Sequence, residues 1–192
     1  MSPAPLAPAL DTARLTLRGH VRTDLAESAA MWADPAVTRH ITGRPSTEEE
    51  AWARVLRYAG SWALVGFGYW VVRERASGRF VGEVGFADFR RPLTPPIEGA
   101  AEVGWVLAPS AHGRGFATEA VQAALAWGDV HLAAEEPGRS LCLIAPENIR
   151  SVRVAERCGF QRIGDATYNG RPTLVFERGY GSGRGRTAGG AP

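Results

Sequence analysis

One segment restricts this chain more than any other: a strand that leads through a glycine turn directly into a helix. Gly104-Trp105-Val106-Leu107 reads as the end of a strand, Ala108-Pro109 breaks it, His112-Gly113-Arg114-Gly115 turns, and Phe116-Ala117-Thr118-Glu119-Ala120 begins a helix at once. That order commits the chain to an α/β fold, in which a sheet carries helices on its faces. The turn also suggests chemistry. Glycine admits backbone conformations that other residues resist and lets an anion approach the amides without a side chain between. Free N–H groups at a helix start, with the helix dipole behind them, form a phosphate cradle, and Arg114 can add a charge-assisted contact.

Two phosphate-binding patterns do not fit. No Gly-Lys-Ser/Thr follows, which removes the Walker loop. The dinucleotide fingerprint matches only at Gly113 and Gly115, since its third glycine position is Thr118. Glu135 and Glu136 stand at about the distance of that fold's ribose-binding acid, but in a loop beside Pro137-Gly138.

The rest of the chain is read from its period. Leu15-Thr16-Leu17 alternates as a strand, and Asp24 precedes a short amphipathic helix carrying Leu25, Ala29 and Trp32. Thr47 and Glu50 make a capping-box pattern for a second helix with Trp52, Val55, Leu56 and Ala59 at helical spacing. Tyr69 to Val72 and Phe80 to Phe86 form a hairpin across Ser77-Gly78. After a proline-rich loop come the strand Ala101 to Leu107, the glycine turn, a helix, and a strand at Leu141 to Ile144. A helix from about Asn148 to a Gly159 C-cap follows, then strands near Gln161 to Gly164 and Thr173 to Phe176. We expect one mixed, mostly antiparallel sheet of six to seven strands with about four helices. Residues 1–10 and the Gly/Arg-rich 179–192 are expected to lack structure, leaving 11–178 as one domain.

The run from His112 to Ala120 resembles the acetyl-coenzyme A motif of the GNAT superfamily of N-acetyltransferases, Gln/Arg-x-x-Gly-x-Gly/Ala. Gly115 and Ala117 match it, and His112 takes the first position. Arg14-Leu15-Thr16-Leu17-Arg18, the hairpin Gly78 to Phe86, Glu102 to Leu107, and Asn148-Ile149-Arg150-Ser151 with Ala155 to Phe160 are similar, in order, to the branch that acetylates ribosomal-protein N-termini. The resemblance implies the acyl-CoA N-acyltransferase fold, with a sheet splayed between its fourth and fifth strands to admit pantetheine. It implies that Trp105, Val106 and Leu107 line that slot, that the amides of Gly113, Arg114, Gly115, Phe116, Ala117 and Thr118 with His112 hold the pyrophosphate, and that Asn148 and Ser151 stand beside the thiol arm. Asn148 is equally a plain helix N-cap.

The chemistry that follows is direct attack of an amine on the thioester, assisted mostly by juxtaposition, with the Leu107 N–H, by resemblance, stabilising the oxyanion. An alkyl amine is neutral only about once in a few thousand molecules at pH 7, so a base is needed. Glu102 and Glu83 are the candidates, each otherwise a solvated carboxylate. Ser151 is the acid candidate, and Tyr168 a substitute, because Ala155 stands where other branches place a tyrosine. His112 is read as a cofactor contact or surface residue. Trp32, Trp52, Trp62 and Trp70 divide between core and pocket wall in a way the sequence does not separate.

Composition narrows the partners. The formal charge of +2 argues against nucleic acid, although the tail with Arg184 and Arg186 is of a kind that touches RNA. Cys142 and Cys158 fit no metal-ligand spacing and read as buried thiols, and no metal is expected. The proline-broken start has no secretory pattern and no run is long enough to cross a bilayer, so a cytoplasmic location is expected. The reading is an acetyl-CoA-dependent N-acetyltransferase acting on a small-molecule or peptide amine, homodimers being common in families of this kind. The alternative is a silent acyl-CoA sensor.

Overall fold

A computed structural model describes residues 7–97, 100–134 and 138–181. Most of the two expected tails, and the Glu135–Glu136 pair, lie outside the described residues. The chain runs β1 (Leu10–Asp11), β2 (Leu15–Arg18), α1 (Leu25–Ala33), α2 (Pro35–Thr38), α3 (Glu48–Val65), β3 (Tyr69–Glu74), β4 (Phe80–Ala87), β5 (Ala101–Leu107), α4 (Phe116–His131), β6 (Arg139–Ile144), α5 (Ile149–Arg157), β7 (Gln161–Tyr168) and β8 (Arg171–Gly179). One eight-stranded sheet takes the order β1-β2-β3-β4-β5-β6-β8-β7. Among the described residues only β5–β6 is a parallel pair.

The added strand is β1, where Leu10 faces Leu17. Next to it the Pro8 carbonyl accepts from Trp70 Nε1 at 2.8 Å. The inner edge of the expected unstructured N-terminus is therefore held by the sheet. At the other end β8 continues through Gly179, opposite Arg139. The fifth helix, α2, is one turn started by the Asp34 side chain, which accepts from the Ala36 amide; four residues are too few to show a period. The α3 signals act as read. Thr47 Oγ1 accepts from the Glu50 amide, Glu50 returns the bond to the Thr47 amide, and Gly66 ends the helix at φ +77°.

Two layers cover the sheet. On one face α4 packs Phe116, Ala120, Val121, Ala124 and Leu125 onto Leu15, Leu17, Trp70, Val84, Phe86 and Val103. On the other, Met31, Trp32 and Val37 of α1 and α2 pack against Phe80, Val106 and Ala108. The strand period decides which residue goes where: Trp105 joins the α4 side and its neighbour Val106 the α1 side. Trp62 closes the far end of α3, edge-on to Trp70 and Trp127 at 4.7 and 5.3 Å. Among the described residues no helix is long and apolar enough to cross a membrane.

Candidate functional site

Strands β5 and β6 pair only at their starts, Ala101 with Ser140 and Glu102 with Leu141. Beyond that point β5 stays on β4 through Leu107, while β6 stays on β8 through Ile144. The two parallel strands thus part as they advance and leave a V that widens toward their C-terminal ends. Each leads by a short connection into a helix, α4 or α5, so both helix N-termini lie at the mouth of the V.

At the first of these, Gly113 and Gly115 adopt φ +73° and +77°, the left-handed region that glycine reaches without a Cβ penalty. Among the described residues, the N–H groups of Gly113, Arg114, Gly115, Phe116, Ala117 and Thr118 donate to no other protein group; the first helical bond of α4 is Glu119 N to Gly115 O. Those at the helix start are the amides any helix leaves unpaired, and the two left-handed residues gather the others beside them. The turn is braced from behind. Arg14 donates to the Arg114 carbonyl at 2.9 Å and to Glu119 at 2.7 Å. The guanidiniums of Arg14 and Arg114 stand 4.7 and 4.3 Å from the buried Phe116 ring. Arg114 itself is ion-paired with Glu74, so its charge is shared rather than wholly offered to an anion.

The edge of β5 that faces the V follows from its ladder. Ala108 N donates to Val81 O at 2.9 Å, so the preceding residue, Leu107, turns its polar groups the other way, to the open side. His112 Nε2 donates to the Leu107 carbonyl at 2.9 Å. Val106 turns its carbonyl to β4, where a Cβ on Gly82 would stand 2.2 Å from it; glycine alone allows that approach. The open edge therefore presents the Leu107 amide and the Trp105 backbone. Val106 contributes a side chain on the α1 face, and His112 holds a strand end. Across the V, Asn148 Oδ1 caps α5 by accepting from the Ser151 amide at 3.2 Å. Ser151 is half-buried at that first turn, and its hydroxyl is bonded to no other described residue.

The two carboxylates expected to act as base have different surroundings. Glu83 is fully buried: Ser28 Oγ donates to it at 2.6 Å, Trp32 Nε1 at 2.9 Å, and His20 Nε2 stands 3.4 Å away. Burial pushes its carboxyl up, but His20, Ser28 and Trp32 outweigh that and hold it below the ordinary value. Glu102 retains 16% side-chain exposure, and Arg91 grips both its oxygens at 2.6 and 2.9 Å. Arg91 also lies over the Tyr168 ring at 4.8 Å, which ties Tyr168 to that pair.

A hydroxyl that sequence reasoning passed over stands against β5. Tyr69, 4% exposed, extends across Gly85 so that a Cβ on Gly104 would meet its hydroxyl at 1.9 Å. Its ring stacks on Tyr58 with centroids 4.2 Å apart. Burial, first of all, and then the Tyr58 and Glu102 charges push its phenol well above the ordinary value. The signal in the sequence was the glycine pair, Gly85 and Gly104, aligned in register, but register is not visible before folding. The four tryptophans separate here: Trp62 and Trp70 are core, Trp52 is half-buried, and Trp32 lies beneath Arg54, whose guanidinium carbon stands 3.7 Å from the ring. The thiols are inert, since burial pushes Cys142 well up and Cys158 to about 11. No cluster of three or more metal-ligating side chains occurs among the described residues.

A mixed sheet that splays between two parallel strands, with unengaged amides at the head of its crossover helix, defines a class: α/β proteins with an opening between parallel strands at a helix N-terminus. The sequence pattern of the Acetyltransferase (GNAT) domain family matches residues 14–161, and this chain belongs to that family. It is 28% identical over 156 residues to the uncharacterized N-acetyltransferase p20 of Bacillus licheniformis, covering 81% of this chain and 83% of that protein. A Bordetella pertussis protein assigned to the GnaT acetyltransferase family shares the fold with TM-score 0.75 and 33% identity, over 89% and 99% of the two chains. The fold is also that of the Vibrio cholerae spermidine N-acetyltransferase solved with CoA and spermine (TM-score 0.69, 21% identity, 88% and 97% covered). It is likewise that of RimL, a ribosomal L7/L12 acetyltransferase solved with coenzyme A (TM-score 0.70, 16% identity, 90% and 98% covered).

Proposed function

We propose that this protein transfers the acetyl group of acetyl-coenzyme A to a primary amine, by direct attack with both substrates bound. The observation that carries the reading is the set of six unengaged amides from Gly113 to Thr118 at the mouth of the V. Acting as a nest, they hold the diphosphate at the positive end of α4. The pantetheine arm then runs down the open edge of β5, where the Trp105 backbone and the Leu107 amide are free to pair with its amides, as a peptide adds to a sheet edge. The same edge supplies the donor that stabilises the oxyanion, the Leu107 amide being the first candidate. His112 fixes the strand end above the turn, and Asn148 and Ser151 close the opposite wall.

Of the two carboxylates, Glu102 is the better base, through a water, because it keeps solvent contact and Glu83 has none. Taking up a proton requires Glu102 to loosen one Arg91 bond. Glu83 then serves to hold Trp32 and Ser28 beneath the acceptor side. Ser151 is the proton donor to the departing thiolate. A cytoplasmic location and a homodimer belong to the same proposal. The commitment of both carboxylates to other groups is the one observation that favours the second reading, a coenzyme sensor without turnover.

One experiment separates the two readings. Purified protein with acetyl-coenzyme A and a broad panel of amines and peptides should release free thiol. Tight coenzyme A binding by calorimetry with no thiol from any acceptor would establish the sensor instead.

A further inference from the structure

On the face opposite α4, a cavity of about 230 Å³ opens between α3 and the loop leading into it, lined by Thr42, Arg44, Ser46, Glu50, Ala53, Arg54 and Arg57. Three arginines line it against one carboxylate, and that carboxylate is taken: Arg44 Nη1 and Nη2 bond the two Glu50 oxygens at 3.0 and 2.5 Å. Among the described residues Arg54 and Arg57 form no salt bridge. The Arg54 guanidinium carbon stands 3.7 Å from the centre of the Trp32 ring, and among the described residues its Nη1, shut off from solvent, has no hydrogen-bond partner. Burial pushes the Arg54 guanidinium below its ordinary value; Tyr58 and then Glu83, beyond the same indole, oppose that shift only in part, and Glu83 accepts its hydrogen bonds from Ser28 and Trp32. Arg57 stacks over Phe89 at 5.0 Å. A fourth cation borders the loop: Arg171, at the start of β8, rests on Gly43, where a Cβ would stand 2.8 Å from its guanidinium nitrogens.

A guanidinium donor buried without an acceptor is costly, and a carboxylate oxygen is the group whose geometry it matches. Behind Arg54, Trp32 packs in one cluster with Val106 of β5, which links the arginine to the open strand through a single side chain.

We propose that this cavity binds the carboxylate of the acyl acceptor, so that the second substrate is a small carboxylate-bearing amine of the amino-acid kind. The inference rests on the transferase reading and names the substrate class of that same cleft. Arg54 and Arg57 hold the carboxylate, with the Trp32 ring behind the first guanidinium and the Phe89 ring behind the second, and the amine is directed toward β5. A polyamine, which offers only positive charge, is repelled by the same residues.

The test uses binding as well as turnover, so that the two readings fail separately. N-acetyl-L-phenylalanine, N-acetyl-L-leucine and N-acetyl-L-glutamine, products of such a reaction, and their three carboxamides are titrated by calorimetry into the full chain with and without coenzyme A. At least one acid should bind about tenfold tighter than its amide, the worth of one charge-assisted contact. Arg54→Gln should erase that difference and Arg54→Lys keep part of it, with coenzyme A affinity unchanged in both. Arg57→Gln, at a more exposed position, should shrink it and serves if Arg54→Gln does not fold. Absence of any preference for acid over amide, or a preference that survives both glutamine substitutions, overturns the proposal. An acid preference that responds to Arg54, with no thiol released from acetyl-coenzyme A by any amine, supports the carboxylate site and overturns the transferase reading instead.

Discussion

Gly104 and Tyr69 show how closely single residues define the cleft. The Tyr69 hydroxyl occupies the space a β-carbon at position 104 would need, at 1.9 Å, so Gly104→Ala must push a stacked, buried tyrosine aside. We expect a loss of about 1–3 kcal/mol in urea unfolding, with part of it recovered when Tyr69→Phe is added. Coenzyme A affinity should change less than stability, since Gly104 is not in the anion turn. The acid and base assignments are tested in the same way. Ser151→Ala should slow acetyl transfer with little change in coenzyme affinity, and an unaltered rate removes Ser151 from the role. Glu102→Gln should lower kcat/KM by about 10²-fold or more if it accepts the amine's proton. If Glu102 only anchors Arg91, that substitution changes unfolding stability and leaves the pH profile of the rate in place.

At the scale of elements, the anion turn depends on how α4 begins. Its N-cap, Gly115, is left-handed and carries no side chain into the space in front of the free amides. Gly115→Glu adds a side chain, backbone strain and a negative charge there. We expect coenzyme A affinity to fall by two orders of magnitude or more, measured by calorimetry, while the fold persists; retained affinity would move the cradle elsewhere. The start of α3 makes a milder case. Thr47→Ala removes the acceptor for the Glu50 amide and should cost about 1 kcal/mol in denaturant unfolding. Because α3 carries Arg54 and Arg57, the same change should weaken acid binding more than coenzyme binding. The α3 cap was legible in the sequence, since it is a local matter of one side chain and an amide three residues on, and the turn before α4 was legible because two nearby glycines mark a backbone that other residues resist. The one-turn α2 and the two-residue β1 were not legible, because elements that short leave no period and exist through their neighbours.

The whole molecule is tied together at Asp24, which joins the sheet to the α1 layer. It is fully buried at the turn before α1, bonded by Arg18 of β2 at 2.8 and 2.6 Å and by Arg73 of β3 at 2.9 Å. Burial pushes its carboxyl up, but Arg18, the Val21 amide and Arg73 outweigh that and hold it at about 2 against an ordinary 3.8. A carboxylate depressed in the folded state contributes stability that is present above the unfolded value and is lost as pH falls through the folded one. Wild-type stability should therefore decline between about pH 4 and pH 2, whereas Asp24→Asn, less stable at neutral pH, should lose part of that dependence in acid unfolding followed by circular dichroism.

The sequence by itself determined the order of strands and helices, the cap residues, and the glycine turn between β5 and α4. Each of these is set by residues within a few positions of one another, through backbone conformation, side-chain period or a local hydrogen bond. The folded structure decided the rest. Register set Gly104 under Tyr69 and turned Val106 away from the open edge, while packing buried Glu83 beneath Trp32 and gave both Glu102 oxygens to Arg91. The gathering of Arg54, Arg57 and Arg171 around one loop, from segments more than a hundred residues apart, is decided the same way. Contacts of that kind arise only when distant strands and helices share a sheet, because burial and charge pairing act across space and carry no period along the chain.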